Sequence, residues 1–402
     1  MIDTTVLQKI KYGKNQKYNP KTKFGRKPLF YFEYKFVSEK NRGVFLIKDV
    51  LNLLKWVNGL KSKVNNAKTT VFLNLDKAEP VDNLTITFLE YVCYYIISNL
   101  EFKLFVSINF EKRVAMLTSK DTLLRYLVSL TPDTQRYRFE YEKQYSIYML
   151  SEEVYKRAFD AKNIKVDIAF HSKLNQEIYQ YFGNNTSLNI TQSLDLAETI
   201  TELVENAIEH TKTDCYLTIY SPVNEVKARN SDNAYHVLDV SLFNISDKYM
   251  GDDVLQKIEN GDIEGELKPV FQHVVEAYTN HSRNFTEKYD RESFGILSAM
   301  QYNVTGRFGD QNDGGTGVPK MIMSLQKSSY LDGCYLISGH KGFQLMENYL
   351  GEDSDGYVGM NDNNYVNQIP NEETLLKLST EFPGTAYHLS FVFEKGIEYG
   401  NY

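Results

Sequence analysis

The chain has 402 residues and a mass of 46.6 kDa, more than one ordinary hydrophobic core occupies, which predicts two domains of about 100 to 200 residues each. Apolar residues make up 42% and charged residues 24%, which excludes disordered, collagen-like and membrane-embedded compositions. A net charge of -7 repels a phosphate backbone at long range and excludes wholesale coating of nucleic acid.

Cys93, Cys215 and Cys334 lie far apart with no CxxC pair, so neither a disulfide framework nor a cysteine zinc site is expected. A reducing, cytoplasmic compartment fits that pattern. The opening residues MIDTTVLQKIKYGK carry no apolar run of the signal-peptide kind, and the most apolar stretch, 88–98, is interrupted by Glu90 and falls short of spanning length. No membrane contact is expected.

Residues 4–32 hold no acid but carry Lys9, Lys11, Lys14, Lys17, Lys21, Lys23, Arg26 and Lys27. Residues 1–34 therefore read as a basic arm, either a solvated terminus or a contact for an anion, RNA or partner. Beyond it the pattern becomes regular. A strand is expected before Ser38, an amphipathic helix over 47–64, a strand over Thr69 to Leu75, a helix over 82–98, a strand over 102–110 and a helix over 119–130. Strand, helix, strand in that order is a βαβ unit, so its strands should pair in parallel. Residues 145–150 offer a strand and 172–182 a helix, which sets a domain boundary near 150.

The segment with most chemical content is Leu196 to His210, LAETITELVENAIEH. Leu196, Ile200, Leu203, Val204, Ala207 and Ile208 recur at helical spacing and form one buried stripe. Glu198, Glu202, Glu205, Asn206 and Glu209 occupy the other face, with Glu202 and Asn206 four residues apart and stacked within one turn. A hard amide oxygen beside a carboxylate suits Mg²⁺-assisted phosphoryl chemistry, although Glu-rich faces are also ordinary solvated surface. Strands are expected at Cys215 to Tyr220 and His236 to Phe243. The second half also concentrates glycine: 15 of the 23 lie between Gly251 and Gly359. In GRFGDQNDGGTGVPK, Gly306, Gly309, Gly314, Gly315 and Gly317 would expose backbone N–H groups to phosphates. It is not a P-loop, because Lys320 is followed by Met321 rather than Ser or Thr.

Taken in order, these segments resemble the GHKL ATPases, the Bergerat-fold family of gyrase, heat-shock chaperones, MutL and histidine kinases. ELVENAIEH is similar to the family's N-box, GGTGVPKMI to its glycine lid, DGCYLISGHKGF to its strand pair ending in Ser, and PGTAYHLSF to its terminal Gly-Thr strand. The resemblance covers about 171–391. It implies that Glu202 is the general base, that Asn206 holds Mg²⁺ and that His210 lies near the phosphates. It also implies that Gly309, Gly315, Gly317 and Lys320 close over the phosphates and that Thr385 lies near them or the lid. The family's D-x-G-x-G motif, whose Asp accepts from adenine, departs here to VSLFNISDKYMGDD, which offers Asn244, or Asp247 with Gly251. Residues 151–402 would form a mixed sheet covered by helices.

The order strand, loop, helix in TVFLNLDKAEPVDNLTITFLEYV resembles, in topology and pattern over roughly 35–135, the STAS domains of anti-sigma-factor antagonists, which implies a small α/β interaction domain over 35–150. The combined expectation is a cytoplasmic protein with an N-terminal STAS-like α/β domain and a C-terminal Bergerat-fold α/β sandwich. It would bind ATP with Mg²⁺, hydrolyse it as a conformational switch in bacterial signalling or defence, and act on an unidentified protein partner. The family also implies a homodimer. Two alternatives stay open: an anti-sigma-type Ser/Thr protein kinase, and a non-catalytic scaffold with a degenerate pocket. Histidine autokinase chemistry is disfavoured, since the one upstream histidine, His171 in AFHSKLN, lacks the H-box context. HVVEAYTNH lacks HExxH spacing and reads as helix surface, and GEDSDGYVGMND lacks the ligands of a calcium loop.

Overall fold

The computed structural model describes residues 30–37, 43–61, 69–108, 122–127, 149–150, 153–164, 167–222, 226–227, 234–261, 268–301, 317–328 and 333–394. The chain divides into two compact units, Met1–Ser151 and Glu152–Tyr402.

In the first unit, β1 (Phe30–Lys35), β3 (Thr69–Leu75) and β5 (Lys103–Ile108) form a parallel sheet in the order β1-β3-β5. The parallel pairing expected from the βαβ pattern is present. In β1, Phe32 and Tyr34 are buried while Glu33 and Lys35 are exposed, the period of two that a half-buried strand requires. This strand starts at Phe30, so residues 30–34 belong to the sheet and not to a basic arm; the lysine-rich residues 1–29 lie outside the described part. A short parallel pair joins β2 (Val44–Phe45) to β4 (Glu79–Pro80). Helices α1 (Ile47–Lys61) and α2 (Asn83–Tyr94) pack against each other. Asp82 caps α2 by accepting from the Thr85 N–H at 2.7 Å. A π-turn, Tyr95–Asn99, ends this segment. Of the helix expected over 119–130, residues 122–127 are described, and they hold a 3₁₀ turn, Leu123–Tyr126. Buried Glu90 accepts from the Thr122 hydroxyl and the Leu123 N–H, capping that turn.

The second unit is built on β6 (Val154–Phe159), β7 (Cys215–Tyr220), β8 (Ala234–Ile245), β9 (Tyr335–Gln344) and β10 (Leu375–Glu394). These strands lie in the order β9-β10-β8-β7-β6. Each of the four pairings between them is antiparallel. Cys215, Leu217, Ile219, Leu238, Val240, Leu242, Leu389 and Phe391 enter one hydrophobic cluster with the buried faces of the helices.

Those helices are α3 (Phe170–Asn185), α4 (Ile190–Thr211), α5 (Asp252–Asn260), α6 (Lys268–Ser282), α7 (Arg291–Ala299) and α8 (Gly317–Ser328). In α4, Asn189 and Gln192 form a reciprocal capping box at the start. The expected stripe is its buried face, with Leu196, Ile200, Leu203, Val204 and Ile208 in the core and each contributing about 1.5 to 3 kcal/mol. Both α3 and α8 pack on this helix.

Candidate functional site

The polar face of α4 is bracketed by charge from both neighbouring helices. From α3, the His171 ring places Nδ1 2.8 Å from Glu205 and Nε2 3.2 Å from Glu198, and the Asn175 amide donates to Glu198 at 2.5 Å. From α8, the Lys320 ammonium donates to Glu202 and lies 3.7 Å from Glu198. Glu202 is the more enclosed carboxylate, its side chain 13% exposed against 37% for Glu198. Asn206, one turn on, is half-buried, and its side chain makes no hydrogen bond to the described residues.

Both His171 nitrogens face carboxylates, an arrangement that favours the doubly protonated ring, the imidazolium. Partial burial opposes that charge, but Glu205 and Glu198 together outweigh it and raise the pKa above the usual histidine value. His210, at the far end of α4, is shifted down by desolvation, which the Asp253 carboxylate at 3.8 Å partly offsets while Lys212 and Lys257 add to the fall.

A second polar group lies at the ends of the sheet strands. Asn244, in β8, sits in register with Thr385 of β10. Its Oδ1 accepts from the Thr385 N–H at 3.1 Å, and its Nδ2 donates to the Thr213 hydroxyl at 3.4 Å. Thr213 in turn meets the Thr211 hydroxyl at the end of α4 at 2.8 Å. On the other side, the Thr385 hydroxyl meets Ser338 at 2.9 Å, and Ser338 accepts from the Met250 N–H at 2.9 Å and donates to the Gly384 carbonyl at 3.0 Å. One hydrogen-bonded path thus links the end of the Glu202 helix to three sheet strands. Gly384, at φ +124°, permits the close approach, because a Cβ there would lie 2.3 Å from the Asn244 carbonyl oxygen.

The expected site residues therefore separate into groups. Glu202 and Lys320 are in contact, Asn244 and Thr385 are in contact, and Thr213 joins the second pair to the end of α4. Asp247 is exposed on the loop after β8. Gly251 has a different task from the one expected: at φ +94° it precedes α5, and a Cβ on it would meet the Gly295 backbone at 2.2 Å, so it sets the approach of α5 to α7. Gly317 and Lys320, expected in a glycine lid, are on α8 instead. Pro319 stands in the first turn of that helix, where a missing N–H costs nothing. Gly306, Gly309, Gly314 and Gly315 lie outside the described residues. The expected strand pair ending in Ser338 is one strand, β9, whose register against β10 shifts between Ser338 and Lys341.

His171, Asn175 and Thr213 are site neighbours that the sequence reading did not single out as such; His171 and Asn175 reach the α4 face from another helix, and Thr213 joins Asn244 to the end of α4. His281, expected on a helix surface, is a core residue 1% exposed. Asp353, in the acidic loop, accepts from the N–H groups of Asp355, Tyr357 and Tyr365.

Among the described residues no group of three or more His, Cys, Asp and Glu is placed to hold a metal, and no helix is long and apolar enough to cross a membrane. An Mg²⁺ carried by phosphates takes only one or two protein ligands, usually carboxylates; the Asn206 amide oxygen, a turn from the Glu202 carboxylate, is a donor of the hard type that such an ion accepts. Comparison with protein-family models, with curated proteins and with solved structures finds no match to this chain.

Proposed function

We propose that the second unit binds a nucleoside triphosphate with Mg²⁺ in the manner of the GHKL ATPases, with ATP the nucleotide that the resemblance implies, and that hydrolysis resets a conformational switch. The observation that carries this reading is the arrangement on α4. Glu202 and Asn206 share one face a turn apart, and Glu202 is met by Lys320 of the helix that begins where the glycine-rich segment ends.

Mg²⁺, when bound, would neutralise phosphate charge. Asn206 would hold it through its amide oxygen. Lys320 would exchange its carboxylate for a phosphate oxygen, a stronger charge-assisted partner. Glu202, released from that pair, would accept a proton from the attacking water. The short hydroxyl and amide path from Thr211 to Met250 would report occupancy at the strand ends to the loop before α5. On this reading the protein is cytoplasmic, acts through a protein partner and works as a homodimer.

Calorimetric titration of the purified chain with a non-hydrolysable triphosphate analogue and Mg²⁺ tests this reading, with Asn206→Ala as the control. The same Lys320 pair favours one other reading, a binding scaffold without turnover. A carboxylate neutralised by lysine is a poor base, so a chain that keeps the pair when nucleotide is bound would not hydrolyse. Phosphate release under saturating nucleotide separates the two.

A further inference from the structure

The His171 ring lies between two carboxylates of α4, Glu205 at 2.8 Å from Nδ1 and Glu198 at 3.2 Å from Nε2, and only the protonated ring can donate to both. The two carboxylates are not equivalent. Glu205 has no other partner among the described residues. Glu198 also accepts from the Asn175 amide at 2.5 Å through the same oxygen, Oε2, and its Oε1 lies 3.7 Å from the Lys320 ammonium. Lys320 in turn donates to Glu202. A continuous chain of polar contacts therefore runs from His171 through Glu198 and Lys320 to Glu202, crossing three helices. Other charges of α3 are engaged elsewhere: Lys173 pairs with Asp167 at 2.8 Å, and Glu177 with Arg157 of β6 at 2.6 Å. The side chains of His171, Glu198 and Lys320 are 37 to 38% exposed, so a proton can reach the ring and the carboxylate has room to turn.

Loss of the ring proton has a defined effect on this chain. The neutral ring keeps one N–H, and Nδ1 is the nitrogen that keeps it, because Glu205 is nearer and has no alternative donor. Nε2 then presents a lone pair to Glu198, a repulsive contact between two acceptors. Glu198 is relieved by moving towards Lys320, and a closer ion pair there competes with the Glu202 pair. The same step leaves one positive charge fewer among three carboxylates, which makes the face less receptive to an anion.

We infer that His171 is a proton-operated switch for the α4 face. With the ring protonated, Glu198 is held to α3 and Lys320 stays with Glu202; with the ring neutral, Glu198 draws Lys320 to itself and the face holds a polyphosphate less tightly. The last consequence rests on the nucleotide-site reading above, whereas the transfer of Lys320 does not.

The transfer is read without ligand, by nuclear magnetic resonance of the full chain carrying ¹³C-labelled lysine and histidine. Lys320 is identified by its absence in Lys320→Met and His171 by its absence in His171→Gln, with Lys320→Arg and His171→Asn in reserve if either variant does not fold. The expected result is that the Lys320 signal moves with the midpoint of the His171 ring, which lies above the usual histidine value, and stops doing so in His171→Gln and Glu198→Gln. A Lys320 signal that ignores the His171 midpoint in the wild type overturns the switch, as does one that still follows it in Glu198→Gln. The effect on binding is read by calorimetric titration with a non-hydrolysable ATP analogue and Mg²⁺ on either side of that midpoint. The analogue itself titrates, so the comparison is wild type against His171→Gln. The wild type should lose about 3- to 10-fold more affinity than the variant as pH rises. Equal changes in the two overturn the control of anion binding. Absence of analogue binding at either pH, with Lys320 following His171, supports the switch and overturns the nucleotide reading.

Discussion

At the scale of single residues, two histidines carry opposite pH dependences. His281 accepts from the Tyr289 hydroxyl at Nδ1 (2.5 Å) and donates from Nε2 to the Tyr365 carbonyl (2.8 Å), the pattern of a neutral ring. Burial pushes its pKa down to about 4, against a smaller upward effect of the Tyr365 carbonyl. Since the unfolded chain binds a proton near pH 6.5 and the folded one does not, stability is present above that pH. It falls as pH drops from about 6.5 toward 4, by on the order of 3 kcal/mol. Urea unfolding of wild type and His281→Phe across that range checks it: the wild type should lose stability more steeply with acid.

His171 is the reverse case. Its pKa is raised, so its contribution is complete below about 6.5 and is lost as pH rises through the higher folded value. A His171→Gln variant should therefore differ most from wild type below pH 6.5 and converge with it in alkali. Gly251 adds a steric test. With φ +94° and the Gly295 backbone 2.2 Å from any added Cβ, Gly251→Ala should destabilise by more than about 2 kcal/mol in thermal or urea unfolding, whereas Gly261→Ala, strained at φ +67° but in open space, should cost less. Glu202→Gln should lower turnover about 10²- to 10⁴-fold and spare nucleotide binding, measured as phosphate release and titration side by side.

Among the elements, α4 was legible in the sequence because its signal is local. The stripe Leu196, Ile200, Leu203, Val204 and Ile208 repeats at 3.6 residues, and the same period puts Glu202 beside Asn206. The first-unit strands were legible for a related reason, since TTVFLNL and KLFVSI are short β-branched and apolar runs with polar breaks between them. What escaped depends on residues distant in sequence. His171 meets Glu198 and Glu205 across two helices, and Lys320 crosses 118 positions to Glu202. The direction of the sheet was equally non-local: no period reveals that β8 runs antiparallel to both β7 and β10. Pro319 illustrates a pattern that permits two structures, since a proline breaks a helix interior but suits the first turn. If Lys320 leaves Glu202 for a terminal phosphate, Lys320→Met should weaken binding of a triphosphate analogue about 10-fold while changing diphosphate binding much less. Equal losses for the two nucleotides would leave Lys320 as an ion-pair residue of the α4 face alone.

For the molecule as a whole, two units with different sheet types share one chain: a parallel sheet in Met1–Ser151 and an antiparallel one in Glu152–Tyr402. The chemistry-bearing side chains of the α4 face and of the strand ends all belong to the second unit. The proposal for the whole chain reduces to one claim, that the α4 face carrying Glu202 and Asn206 receives a nucleoside triphosphate with Mg²⁺. The most direct test is calorimetric titration of the full chain with non-hydrolysable ATP and GTP analogues in the presence of Mg²⁺, repeated on Asn206→Ala after circular dichroism shows that variant to be folded. The account predicts saturable binding of at least one analogue by wild type and its loss in Asn206→Ala. Folded wild-type protein that binds neither analogue, or an Asn206→Ala variant that binds as tightly as wild type, would contradict it.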